Sequence, residues 1–160
     1  MVRSIGTSVL TDIRGPAGGF TLAVLLVGAT PVAAEQMVLF GSAAEDHHVD
    51  LGQEGGVGNM NLWHANLEDE QGSVVGTTSG RCLQLDDEGT HLCNIILDHA
   101  GHGRINLNGI QTTEPTFFSA HTIVGGTEDY AGIRGTMTTH PVEDGARFRY
   151  EIDYELSLLP

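Results

Sequence analysis

Two of the three tyrosines, both cysteines and the eight histidines are the residues of this chain whose types and spacing could carry chemistry. Phe148, Tyr150, Ile152, Tyr154 and Leu156 alternate with Arg147, Arg149, Glu151, Asp153 and Glu155. That period of two marks a strand with one dry and one wet face. Tyr150 and Tyr154 share the dry face, where a phenol can donate a proton to a ligand held against it. Cys82 and Cys93 flank a run with turn chemistry at Asp86 to Gly89. With Asp87 and Glu88 at the tip, facing residues sum to 175, which sets Cys82 opposite Cys93. Two readings stand for this pair. A cross-strand disulfide would contribute roughly 3 kcal/mol in the chain-entropy account, whereas two buried thiols would pack as small hydrophobes.

The histidines fall into two loop groups and four scattered strand positions. His99 and His102 lie beside Asp98, and His47 and His48 lie between Asp46 and Asp50. Neither spacing is a zinc signature, so both groups read as turn histidines and no metal site is expected. His64, His91, His121 and His140 sit singly on strands and read as structural. The sequence holds seven Arg and no Lys, which removes the P-loop lysine, the lysine Schiff base and the Ser-Lys dyad. Gly55-Gly-Val-Gly58 has no strand-to-helix context, and Gly76-Thr-Thr-Ser-Gly80 misses the nucleophile-elbow spacing by one residue. A formal charge of −14 repels phosphate backbones, so nucleic acid is not an expected partner.

The elements that must position these residues are strands. Met37 to Phe40 reads as a short first strand, followed by a long polar loop from Gly41 to Gly58 that would lie over one mouth of a barrel. Asn59 to Leu67, Ser73 to Leu85, Thr90 to Leu97, Arg104 to Ile110, Phe117 to Val124 and Gly135 to Thr139 follow, then the strand from Arg147. Turn signals separate them at short intervals and no amphipathic helix intervenes. An all-β closed barrel or sandwich is the architecture this implies.

The first 34 residues differ in character. Arg3 and Arg14 precede the apolar stretch Phe20 to Val27, and Val32 and Ala34 occupy the small-residue positions before Glu35. This is a secretory signal pattern with cleavage expected after Ala34, leaving residues 35–160 as one domain. The apolar stretch is short for a bilayer span, so no integral membrane segment is expected after cleavage. Export would place both cysteines in an oxidising compartment and favour the disulfide.

Ile123-Val-Gly-Gly-Thr-Glu-Asp-Tyr-Ala-Gly-Ile-Arg-Gly135 reads physically as a crowded corner between two strands. It also resembles the corner motif shared by allene oxide cyclases, plant dirigent proteins and bacterial allene oxide cyclase-like barrels. Val75-Gly-Thr-Thr-Ser-Gly-Arg-Cys-Leu83 and Gly103-Arg-Ile-Asn-Leu-Asn-Gly109 resemble two further strands of the cyclase branch. The resemblance covers roughly Asn59 to Tyr154. It implies an eight-stranded antiparallel, calycin-type barrel, a tendency to form trimers, and the register of the second strand that turns Asn61, Trp63, Ala65 and Leu67 inward. It also implies cofactor-free cyclisation of a flexible apolar substrate held in the barrel. The family's glutamate aligns with Val38 to Ser42, which holds no carboxylate; its asparagine falls at Ala65, and the dirigent arginine falls at Thr77. Of the cyclase residues only the cysteine is matched, at Cys82.

An eight-stranded barrel either fills its interior or holds one small ligand. Here bulky inward candidates (Trp63, Phe148, Tyr150, Tyr154) mix with small ones (Thr78, Gly80, Gly109), which would leave a gap where the small residues face each other. The expected cavity is lined by Trp63, Cys82, Cys93, Thr78 and Phe148, with Tyr150 and Tyr154 as catalytic candidates. The expected function is a cofactor-independent cyclase or isomerase acting on a small, largely apolar metabolite. A secreted, lipocalin-like carrier using the same cavity is the alternative.

Overall fold

Alternation and turn chemistry resolve, in a computed structural model, into eight antiparallel strands joined in sequence order and closed on themselves. The structure describes residues 34–52, 56–112, 119–142 and 147–157, apart from the side chains of Ala43 and Ala44, all within the unit Pro31–Pro160. The expected leader up to Ala33 lies outside the described residues. The strands are β1 (Glu35–Val49), β2 (Met60–Glu68), β3 (Val74–Gln84), β4 (His91–His99), β5 (Gly103–Gln111), β6 (Ser119–Gly126), β7 (Ile133–Val142) and β8 (Arg147–Leu156). A single 3-10 turn, Glu128–Tyr130, stands between β6 and β7. No described helix is long and apolar enough to cross a membrane.

Closure depends on the length of β1. Its first half pairs with β8, from Glu35 opposite Tyr154 to Ser42 opposite Arg147, and its second half pairs with β2, from Phe40 opposite Glu68 to Val49 opposite Met60. Strands of a closed barrel tilt and stagger, so one strand must reach past both neighbours. The expectation of a strand ending at Phe40 and a loop from Gly41 is therefore corrected: the strand runs on to Val49, with a bulge between Ala43 and Glu45. The sequence hid this because β1 beyond Gly41 lies at the barrel mouth, where Glu45 to Val49 are exposed and neither face is dry enough to select apolar residues. β6 begins at Ser119, and Phe117 and Phe118 lie outside the described residues.

The hairpin register holds as read. Cys82 stands opposite Cys93, the two are joined in a disulfide, and the Leu85 amide donates to the Thr90 carbonyl across the turn. On β8, Tyr150 and Ile152 are buried while Arg147 and Arg149 lie outside, paired with Glu68 at 2.8 Å and with Glu151.

One end of the tube is packed solid. Leu67, Leu97, Ile105, Ile133, Met137 and Ile152 are almost completely buried there. The glycine-rich corner closes that end from below: Gly126 carries no β-carbon because one would meet the Tyr130 backbone, and Gly132 takes a left-handed φ of 79°. This lets Tyr130 tuck inward, where its hydroxyl lies 2.6 Å from His99 Nδ1 and its ring meets Tyr154 edge-on.

Candidate functional site

Inward positions at the other end surround a cavity of about 300 Å³. Each strand places its lining residues by simple alternation: Asn61, Trp63 and Ala65 from β2, Cys82 from β3, His91 and Ile95 from β4, Gln111 from β5, Ser119 and His121 from β6, Thr139 from β7, and Phe148 and Tyr150 from β8. β1 supplies Gly41 to the wall, and Glu45 and Asp46 from its exposed distal segment. The volume sits at the lower end of the range for small-molecule sites, and its walls are mainly apolar with a few polar groups, as such sites require.

The sequence led to the expectation of a gap where Thr78, Gly80 and Gly109 face each other; the two glycines instead make room for rings, as does Gly41. A β-carbon on Gly80 would overlap the Trp63 indole opposite it on β2, one on Gly109 would overlap the His121 imidazole, and one on Gly41 would overlap the Tyr150 phenol. The cavity is bounded by these seated rings.

Tyr150 is 5% exposed, and burial pushes its phenol up to about 12, with the neighbouring Thr78 hydroxyl offsetting part of that. It is therefore a neutral proton donor over the whole ordinary pH range. His121 is 1% exposed, and burial lowers its pKa below the usual histidine value, with the adjacent Ser119 backbone offsetting part of the effect. Neither imidazole nitrogen has a hydrogen bond of ordinary length and angle among the described residues, and the same holds for the Ser119 and Thr139 hydroxyls. Ser119 and Thr139 face each other directly across β6 and β7, and His121 follows two residues on. Buried polar groups are almost always satisfied, so three adjacent unsatisfied side chains on a cavity wall single out that wall.

The residues singled out from the sequence divide by position. Trp63, Cys82, Phe148 and Tyr150 all line the cavity. Thr78 is fully buried beside Tyr150 and does not line it, and Cys93 is fully buried in the disulfide behind Cys82. Tyr154 is on the packed half of β8, its hydroxyl donating to Glu35 at 2.8 Å; burial and that carboxylate push its pKa up to about 12. Four residues separate it from Tyr150, roughly 13 Å along a strand. Ser119, His121, Thr139, Gln111 and the Glu45–Asp46 pair were missed. Carrying the alternation of Ile123 back along β6 would have found Ser119 and His121, which share its parity. Gln111 Oε1 lies 3.4 Å from Cys93 Sγ, an atom with no proton to give in the disulfide.

Fold and site together define a closed eight-stranded antiparallel barrel with an apolar cavity at one end and a localised polar wall inside it. No protein-family model matches the chain, and no curated protein matches it. Among solved structures, pyocyanin demethylase is 25% identical, over 75% of this chain and 99% of that one, at a TM-score of 0.65. A pterocarpan synthase dirigent protein superposes with a TM-score of 0.63 at 12% identity, covering 78% of this chain and 96% of its own. A Diels-Alderase from Streptomyces koyangensis gives 0.64 at 15% identity, covering 82% and 72%. The barrel is thus one that dirigent proteins and Diels-Alderases also use.

Proposed function

We propose that this chain is a cofactor-independent cyclase or isomerase that folds a small, largely apolar metabolite inside the barrel cavity. The observation that carries this reading is the placement of a neutral, buried phenol, Tyr150, in a cavity whose walls are mainly apolar. An intramolecular ring closure needs no external reactant. It needs the substrate held in a reactive conformer, which is worth several kcal/mol through orientation and entropy, and a donor aimed at the atom that gains negative charge. Tyr150 supplies that donor, and Trp63, Phe148 and Ile95 supply surfaces that restrict the chain.

The corner motif's resemblance to allene oxide cyclases supports the same reading, as do the cyclases among solved structures of this fold. Tyr154, on the packed half, takes no part in it. The stretch that the resemblance aligns with the cyclases' first-strand glutamate, Val38 to Ser42, holds no carboxylate, so the chemistry proposed rests on the phenol. The leader pattern before Glu35 and the Cys82–Cys93 disulfide support export of the mature domain.

The test is turnover of linear polyene and racemic epoxide substrates by the purified barrel, followed by chiral chromatography. Ring-closed product formed faster than in buffer, in enantiomeric excess, is expected, with Tyr150→Phe slowing it by about 10²-fold or more. Stoichiometric retention of a lipophilic ligand in native mass spectrometry, with no turnover of any substrate, would make the barrel a carrier.

A further inference from the structure

Ser119, His121 and Thr139 form a group that the proposed chemistry does not use. All three are at least nine-tenths buried, all three line the cavity, and none has a side-chain hydrogen-bond partner among the described residues. A buried polar atom without a partner is costly, so a fold does not place three together unless something satisfies them. Each is amphoteric. A hydroxyl both donates and accepts, and a neutral imidazole donates from one nitrogen and accepts at the other.

The electrostatics of the cavity narrow the chemistry further. Among the described residues no arginine lines it, and Glu45 and Asp46 are the charged ones that do. His91, the other lining histidine, has its Nδ1 2.8 Å from the Gly89 carbonyl oxygen. The chain as a whole carries −14. A carboxylate entering this cavity would lose its hydration, find no guanidinium or ammonium among the described residues, and pass two like charges.

Building on the cyclase reading of the same cavity, we infer that the β6–β7 wall is a head-group subsite for an uncharged ligand with a hydroxyl, enol or carbonyl function on an apolar ring or chain, and that the site rejects carboxylates. A hydroxyl or enol head donates to and accepts from Ser119, Thr139 and His121, and a carbonyl head accepts from them, while the body lies against Trp63 and Phe148. A polar function fixed on this wall would set the direction in which the rest of the ligand folds, and thus which end of it meets Tyr150.

Equilibrium dialysis of the purified protein against naphthol, naphthalene and naphthoate, which share one ring system, tests this. Naphthol is expected to bind about tenfold more tightly than naphthalene, and naphthoate more weakly than both. The double substitution Ser119→Ala with Thr139→Val removes two of the three polar partners with little change of volume; it is expected to take away most of the preference for naphthol over naphthalene. Equal affinity for naphthol and naphthalene, or naphthoate as the tightest ligand, overturns the head-group subsite while leaving an apolar cavity in place. Absence of binding by all three overturns the cavity reading itself. A double variant that loses thermal stability yet keeps the naphthol preference would assign the hydroxyls to a buried structural water and sink the inference.

Discussion

At the scale of single residues, burial acts in opposite directions on the two kinds of titratable group inside the barrel. It disfavours the charged form of each, which lowers the histidine pKa and raises the tyrosine pKa. The chain has three tyrosines, and all three shift upward: Tyr130 by burial and then Asp129, Tyr150 by burial to about 12, and Tyr154 by burial and its Glu35 contact to about 12. Since the folded values exceed the unfolded value of 10.0, the folded state keeps protons that the unfolded state gives up. The stability linked to these phenols is fully present below pH 10 and is lost as pH rises through 10 toward 12. An ultraviolet titration of tyrosinate should show far fewer than half of the phenols ionised at pH 10 in the native protein and about half in denaturant. A native titration that is half complete at pH 10 would contradict the burial assigned to Tyr150.

At the scale of elements, the β2–β3 hairpin shows how a glycine can carry positional information. Gly80 stands opposite Trp63, and the absence of a β-carbon lets the indole lie flat across β3. Gly80→Ala forces the ring to move. The expected cost is about 1–3 kcal/mol, as for other overpacked interiors, with a red-shifted emission from Trp63, the only tryptophan in the chain. Unchanged emission with unchanged stability would show that the ring has another seat. The same hairpins explain what the sequence made legible. β8 was readable because Tyr150 and Ile152 face a dry interior while Arg149 and Glu151 face water, and the cysteine pairing was readable because the turn at Asp86 to Gly89 pins every later register. β1 beyond Gly41 was not, because at the mouth both faces meet water. His121 stayed hidden for a related reason: its neighbours Ala120 and Thr122 give β6 a weakly contrasted pattern, so nothing in the composition announced that the imidazole points inward.

At the scale of the whole molecule, the barrel separates stability from binding by placing them at opposite ends. The half closed by Tyr130 is a jigsaw of mainly aliphatic side chains with little exposure, while the half bounded by Trp63, His121 and Tyr150 gives up packing for a cavity. Leu97 belongs to the first half and is 0% exposed; Ala65 is 5% exposed but lines the cavity. Leu97→Ala should therefore cost about 2–5 kcal/mol, the transfer loss plus the void left behind, without weakening naphthol binding in the folded fraction. Ala65→Leu adds bulk where space already exists, so its cost should stay below about 1.5 kcal/mol, as for well-tolerated apolar exchanges, while naphthol binding is lost. Denaturant unfolding and dialysis on the same two variants decide the matter. If Ala65→Leu destabilises as much as Leu97→Ala, the upper half is as tightly packed as the lower and cannot hold a ligand without rearranging. If Leu97→Ala alone abolishes binding in the folded protein, the two halves are coupled, and the packed end sets the shape of the cavity above it.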